Sequence, residues 1–329
     1  MLSTSVIRTV IAGTGSFLPE KIVTNADLAK IMDTSDEWIR QRTGIEERRI
    51  ADDTETTGLM ATHAARLALE AAGYQGGDID GVIVATTTPD TTFPAVAVTV
   101  QEKLGLQKGP AFDIQAACSG FIYALSAADS MIRCSLAKRM LVIGAEKFSS
   151  LVDWNDRTTA VLFGDGAGAV VLEADYSGAD NTADRGILSS HLHADGTLRD
   201  LLFTNGGAAS TRSAGHIVME GKEVFRNAVT MMSEIVDEVL QTNAIQAADI
   251  DWLVPHQANI RIIEATAKKL NMAMDQIVVT VDKQGNTSAA SIPLALDTAV
   301  RDGRIQRNDL ILMEALGGGL TWGAILLRY

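Results

Sequence analysis

The sequence predicts an α/β fold made of two similar halves, and three observations carry that prediction. Strand-like and helix-like patterns alternate along the chain. Short sequence echoes recur at a nearly fixed offset. A chain of 329 residues makes room for roughly two domains of ordinary size and can bury a core without disulfide staples.

In chain order, the strand-like runs of the first half are 6–12, Gly81–Ala85, Ala111–Ile114, 140–144 and 167–173, each apolar and bounded by turn residues. Between them, Thr57–Ala72 repeats Leu59, His63, Leu67 and Ala71 every four residues, which predicts a core-forming helix. Segment 118–137 sets Ile122, Leu125, Ala128 and Ile132 at helical spacing. The second half replays this order as helix 223–242, strand 252–254, helix 257–270, strand 277–281, helix 288–301 and strands 310–314 and 323–328. Asp249-Ile250-Asp251 repeats Asp78-Ile79-Asp80 at an offset of 171, and Asp282-Lys283-Gln284 echoes Asp113-Ile114-Gln115 at 169. Segment 310–315 resembles 141–146. Matching order at a fixed offset places functional loops at the seam between the halves.

Composition narrows the function classes. The longest apolar runs stop far short of the roughly 18 residues a membrane helix needs. Near the N-terminus Arg8 interrupts the apolar residues and Gly13, Gly15 and Pro19 follow, so no secretory pattern forms and a cytoplasmic protein is expected. The net charge of -13 disfavours nucleic acid and anionic lipid, so an acidic partner needs a local basic patch. With Cys118 and Cys134 as the two cysteines, a disulfide framework is not expected, and the question becomes which of them reacts.

Cys118 follows an apolar strand and opens a helix with Gly120 in its first turn. The positive end of a helix favours the thiolate. Cys134, inside the same helical pattern, reads as a packed core cysteine. His256 and Asn286 each sit at a strand-to-helix junction, the edge where α/β sites form. Taken alone, His256 reads equally as a satisfied histidine and Asn286 as a turn or cap residue. Together with Cys118 they compose a nucleophile and two hydrogen-bond donors, a set suited to acyl transfer through an enolate or oxyanion. His191 and His193 alternate on one strand face without a third ligand, so no metal site is expected; His63 reads as structural on its helix and His216 in its polar loop. The stretches 164–168 and 317–319 are glycine-rich but run into strands, whereas a dinucleotide fingerprint opens a helix. They read as tight turns, the second offering a backbone N–H to the seam.

The segments 113–121, 254–259 and 285–291, together with 33–39, 42–45 and 317–323, resemble the motifs of bacterial β-ketoacyl-acyl carrier protein synthase III over essentially the whole chain. That resemblance implies a thiolase-like fold of two duplicated βαβαβαββ halves, residues 1–175 and 176–329, packed as five αβαβα layers, in a homodimer. It implies the condensation that initiates type II fatty acid synthesis: an acyl-CoA primer, acetyl-CoA in the first instance, joins malonyl-acyl carrier protein to give a 3-oxoacyl product, CO2 and CoA. Cys118 would carry the acyl group, His256 and Asn286 would bond the malonyl carbonyl, and the backbone N–H groups of Cys118 and Gly318 would hold the oxyanion. Trp38, Arg42, Thr43, Arg157 and Asn259 match CoA-binding positions. Phe93 and Leu316 match the primer pocket, Phe93 from across the dimer, and Arg226 and Arg261 match carrier-protein docking; Lys268, seven residues after Arg261 and so on nearly the same helix face, joins that basic patch. No cofactor and no metal are implied, because CoA thioesters are substrates.

One departure is Leu316, where the family commonly shows an aromatic residue, so primer length stays open. Thiolases use a second cysteine near the C-terminal glycine turn, and no cysteine follows Cys134. Elongating ketosynthases place a second histidine where Asn286 stands. 3-Hydroxy-3-methylglutaryl-CoA synthase, a specialised acyltransferase of secondary metabolism and a non-catalytic acyl-binding subunit remain as alternatives.

Overall fold

The computed structural model describes residues 7–176 and 185–329. The first half contributes strands β1 (Arg8–Phe17), β2 (Ile22–Thr24), β3 (Glu47–Arg49), β4 (Gly81–Ala85), β5 (Ala111–Ile114), β6 (Arg139–Lys147) and β7 (Asp165–Asp175). The second contributes β8 (Gly186–Ala194), β9 (Leu202–Thr204), β10 (Ile217–Met219), β11 (Trp252–Pro255), β12 (Leu310–Gly317) and β13 (Thr321–Arg328). The helices are α1 (Asn25–Leu28), α2 (Asp36–Thr43), α3 (Thr57–Ala72), α4 (Val96–Leu104), α5 (Gly120–Arg133), α6 (Arg157–Ala160), α7 (Gly221–Asn243), α8 (Ile260–Leu270), α9 (Val281–Gln284) and α10 (Ser291–Arg301). The expected first strand began at Val6, which lies outside the described residues.

The two main sheets repeat one plan. The first runs β1-β7-β6-β4-β5, with β4 parallel to β5 and β6, and β7 antiparallel to its neighbours. The second runs β8-β13-β12-β11, with β11 parallel to β12 and β13 antiparallel on both sides. Helices α3 and α4 cover the outer face of the first sheet, and α7 covers the second with α8 packed on it. Helices α5 and α10 lie between the sheets, completing five layers. The strand expected at 277–281 is reduced to a single bridge between Leu253 and Ile277, after which the chain turns into α9.

The internal register is 171 throughout the elements that frame the seam. Gln75 and Gln246 open capping boxes closed by Asp78 and Asp249. Asp80 and Asp251 then bind the backbone that starts β6 and β12, through Arg139 and Leu310. The left-handed residues Gly73 and Ala244 end α3 and α7, and the left-handed Ala117 and Ser288 precede α5 and α10. The expected echoes at 169 are therefore two residues out of register, a shift that period-2 strands tolerate because it keeps each side chain on its face.

Three expectations are overturned, two by close backbone approach and one by an early helix end. On α3 the buried row is Met60, Ala61, Ala64, Ala65 and Ala68, whereas Leu67 is exposed and His63 stacks on Phe17 with ring centres 5.0 Å apart. The reason lies in β1: a Cβ added at Gly15 would fall 2.3 Å from the Ala68 nitrogen, so the helix rests on the sheet where only small residues fit. The glycines of 164–168 are mostly in strand β7 rather than a turn, since a Cβ at Gly168 would meet the Leu294 nitrogen of α10 at 2.6 Å. Helix α5 buries Ile122, Leu125, Ala128 and Ile132 as expected but stops at Arg133, which leaves Cys134 exposed at its C-cap instead of packed in the core.

Candidate active site at the seam

The ends of β5, β11 and β12 and the turn after α9, rather than the expected strand-to-helix junction at Asn286, deliver the candidate catalytic groups to one cavity of about 520 Å³, lined by Cys118, His256, Asn286 and Gly318. Beyond β5 the chain makes a tight 3₁₀ turn, Ala117–Ser119, before α5. The Ser119 hydroxyl donates to the Ala116 carbonyl at 2.8 Å and fixes that turn. Cys118 is buried, and burial, seconded by the Glu146 charge, pushes its thiol up to about 12 against a hydrogen bond with Ser288 that lowers it. The sequence expectation of a helix-activated thiolate is thereby corrected: desolvation outweighs the helix end, and the resting group is the thiol.

His256 follows β11, its backbone N–H donating to the Glu314 carbonyl at 2.8 Å. Its ring nitrogen Nδ1 lies 2.6 Å from Ser291 Oγ, and burial pushes the imidazole down to about 3. The ring is neutral at physiological pH. Helix α8 begins only at Ile260, because Asn259 caps it by accepting from the Ile262 N–H. Asn286 is clamped by its backbone, donating to Leu162 and accepting from Gly164. Its Oδ1 accepts the Ser288 N–H at 2.9 Å, which leaves the amide Nδ2 as the end available to a ligand. Against Cys118 packs the glycine turn after β12, where a Cβ at Gly317 would stand 2.8 Å from the Cys118 nitrogen. The site thus holds a thiol, a neutral imidazole, an amide and a bare backbone edge, a set for nucleophilic transfer with stabilisation of a carbonyl oxygen.

Two buried carboxyls were missed by sequence reasoning. Glu146, at the end of β6, collects hydrogen bonds from Thr87, Thr88 and Ser288, and burial still raises it to about 7. Glu314, in β12, lines the cavity with Oε2 unpartnered and is pushed up to about 8, so it is protonated at neutral pH. An acid inside an otherwise apolar strand is the signal that could have found both.

The other expected residues divide by location. Asn259 and Leu316 line the cavity. Trp38 lies on α2 with the Arg42 and Arg157 guanidiniums 4.4 and 5.3 Å from its ring centre, and Asp33 holds Arg157. Thr43 is buried, its hydroxyl donating to Ile39 and accepting from the Ile45 N–H. Trp38, Arg42, Thr43 and Arg157 do not line the cavity, nor does Phe93, which is 83% exposed.

The description 3-Oxoacyl-[acyl-carrier-protein (ACP)] synthase III matches residues 112–196, and its C-terminal counterpart matches 240–329. A protein of Brucella anthropi named beta-ketoacyl-[acyl-carrier-protein] synthase III is 58% identical over 323 residues, covering 98% of this chain and all of that one. The chain belongs to this family. The crystal structure of 3-oxoacyl-[acyl-carrier-protein] synthase III from Aquifex aeolicus superposes with a TM-score of 0.92 at 51% identity, covering 98% of this chain and 100% of that one. The corresponding enzyme of Pseudomonas aeruginosa gives 0.91 at 42% identity, covering 98% of each chain.

As a member of the synthase III family, the chain is a thiolase-fold acyltransferase, and it initiates fatty acid synthesis by condensation. Neither the specialised nor the non-catalytic alternative is favoured. His191 and His193 bind the two oxygens of Glu238 at 2.8 and 2.7 Å, and among the described residues no His, Cys, Asp and Glu cluster is placed to hold a metal. No described helix is long and apolar enough to cross a membrane. On α7 and α8, Arg226 pairs with Glu223, and the Arg261 guanidinium lies 5.0 Å from the Phe225 ring centre. Lys268 sits in the last turn of α8.

Proposed function

We propose that Cys118, His256 and Asn286 divide the condensation into two half-reactions. In the first, Cys118 Sγ attacks the acyl-CoA thioester carbonyl, the carbonyl oxygen is held by the N–H groups of Cys118 and Gly318, and the CoA thiol leaves with the cysteine's proton. In the second, the thioester carbonyl of malonyl-acyl carrier protein accepts hydrogen bonds from His256 Nε2 and Asn286 Nδ2. The carbon–carbon bond to the carboxylate breaks, CO2 departs, and the electron pair becomes an enolate. That carbanion equivalent attacks the acyl-cysteine and expels the thiolate, leaving the 3-oxoacyl product on the carrier.

The observation that carries this reading is that a neutral imidazole and an amide whose oxygen is already occupied line one cavity with Cys118, so that Asn286 offers N–H there and His256 is able to offer a second. The primer is an acyl-CoA, acetyl-CoA in the first instance, and no cofactor takes part. Trp38, Arg42, Thr43, Arg157 and Asn259 form the CoA path, with Leu316 at the primer end. Arg226, Arg261 and Lys268 receive the acidic carrier, and Phe93 borders the cavity of a second copy in a cytoplasmic homodimer. The halves divide at 175/176, between β7 and β8. Intact mass after exposure to acetyl-CoA, together with CO2 release from malonyl-acyl carrier protein, tests the division. His256→Ala should lose CO2 release and keep acyl uptake; equal loss of both, or of neither, would refute it.

A further inference from the structure

We propose that Ser291 is a positioning residue that sets the tautomer of His256: its hydroxyl donates to Nδ1, so that the ring's one proton sits on Nε2 and faces the cavity. The inference rests on the reading above, in which His256 donates to the malonyl carbonyl. Ser291 is the first residue of α10 and 1% exposed, and its Oγ lies 2.6 Å from His256 Nδ1. The same Oγ lies 3.3 Å from the Gln257 backbone nitrogen, a group that can only donate. Among the described residues the hydroxyl makes no other hydrogen bond.

Counting hydrogens decides the direction. With the Gln257 N–H pointing at an oxygen lone pair, the hydroxyl hydrogen has His256 Nδ1 as its acceptor, and the imidazole carries its proton on Nε2. The reverse tautomer would crowd two donors onto Oγ, strand the hydroxyl hydrogen in a buried site, and turn a bare Nε2 lone pair toward a carbonyl oxygen. Burial keeps the ring neutral, so the choice lies between these two tautomers.

The rest of the loop leaves this task to Ser291. The His256 backbone is pinned to Glu314, and the buried Gln257 amide is fully used, donating to Pro255 and Val278 and accepting from Thr280 and Val281. These bonds fix where the ring is attached. Which nitrogen it offers is set by Ser291.

The test uses enzyme labelled with ¹⁵N-histidine, its His256 resonances identified by their loss in His256→Asn. The parent should show the Nε2–H tautomer; an Nδ1–H tautomer there would overturn the proposal, and this measurement decides even if a variant fails to fold. In Ser291→Ala the Nδ1–H form should appear. Decarboxylation of malonyl-acyl carrier protein should fall about tenfold, as for loss of a supporting partner, with acyl uptake by Cys118 unchanged. Ser291→Thr should restore the parent tautomer and most of the rate. A Ser291→Ala enzyme with the parent tautomer and undiminished decarboxylation would also overturn it. Failure of the underlying reading shows separately, as normal CO2 release by His256→Ala.

Discussion

The turn that carries Cys118 and the turn that ends at Ser291 share a backbone and differ in chemistry. Each begins with a left-handed residue, Ala117 at φ 46° and Ser288 at φ 51°, and each feeds a central helix, α5 or α10. At the 171 offset Cys118 corresponds to Ala289 and Gly120 to Ser291. The first turn keeps a nucleophile and a glycine that lets α5 settle within 3.2 Å of the Ala85 side chain, measured from an added Cβ. The second has alanine where the first has the thiol, and a hydroxyl, Ser291 Oγ, 2.6 Å from the imidazole Nδ1. On the proposed division of the half-reactions, two equivalent frames would allow the covalent step and the decarboxylation step to be altered independently.

The largest test transfers the nucleophile between the frames. Cys118→Ala should abolish acyl uptake by intact mass, and adding Ala289→Cys should not restore it. Ala289 packs against Gly144, and its own carbonyl would meet an added Cβ there at 2.2 Å. Recovery of acylation in the double variant would make the two turns interchangeable and break the comparison. On the second frame, Asn286→Ala should reduce CO2 release on the order of a hundredfold, the usual cost of one carbonyl-stabilising donor, while acyl uptake persists.

A smaller effect concerns the partner. Reversing charge at Arg226 and Arg261 should raise the apparent KM for malonyl-acyl carrier protein about tenfold and leave acylation from acyl-CoA unaltered, because the two substrates meet different surfaces. The smallest effect separates the buried carboxyls. Glu314 is raised in the folded chain from 4.5 to about 8, so its neutral form contributes stability that is fully present below about pH 4.5 and lost as pH rises through about 8. Thermal melts between pH 5 and pH 9 should therefore fall less steeply for Glu314→Gln than for the parent. An unchanged slope would show that this carboxyl does not govern the pH response.

The sequence made the alternation of elements, the second-half repeat and the three catalytic candidates legible, because strand-to-helix junctions and glycine turns leave local marks. Helix α5 displayed its buried face in Ile122, Leu125, Ala128 and Ile132. Helix α3 did not, since its burial is decided by Gly13 and Gly15, some fifty residues earlier, and hydrophobic periodicity cannot register a face chosen for smallness. The resting state of Cys118 was likewise hidden: helix position is local, whereas desolvation and the neighbouring Glu146 come from the tertiary fold. Ser291 fell inside the expected helix 288–301 with no local mark of its own, and only the fold brings it to His256.

Asp297 of α10, fully buried, accepts from Thr14 and Ser16 of β1 and from Arg301, while α10 lies along β1 and β7. A strand near the start of the chain thus waits for a helix near its end. On the ribosome α5 can cover part of the inner face of the first sheet early, but the stretch along β1 and β7 that α10 covers waits until residues 291–301 have emerged, so the growing chain passes through a long interval of exposed apolar surface there. Translation-arrested chains ending before residue 291 should be cleaved readily within β1 and β7 and bind holdase chaperones, and chains released beyond residue 301 should resist. Vectorial synthesis makes the last quarter of this polypeptide the closing layer of its first half.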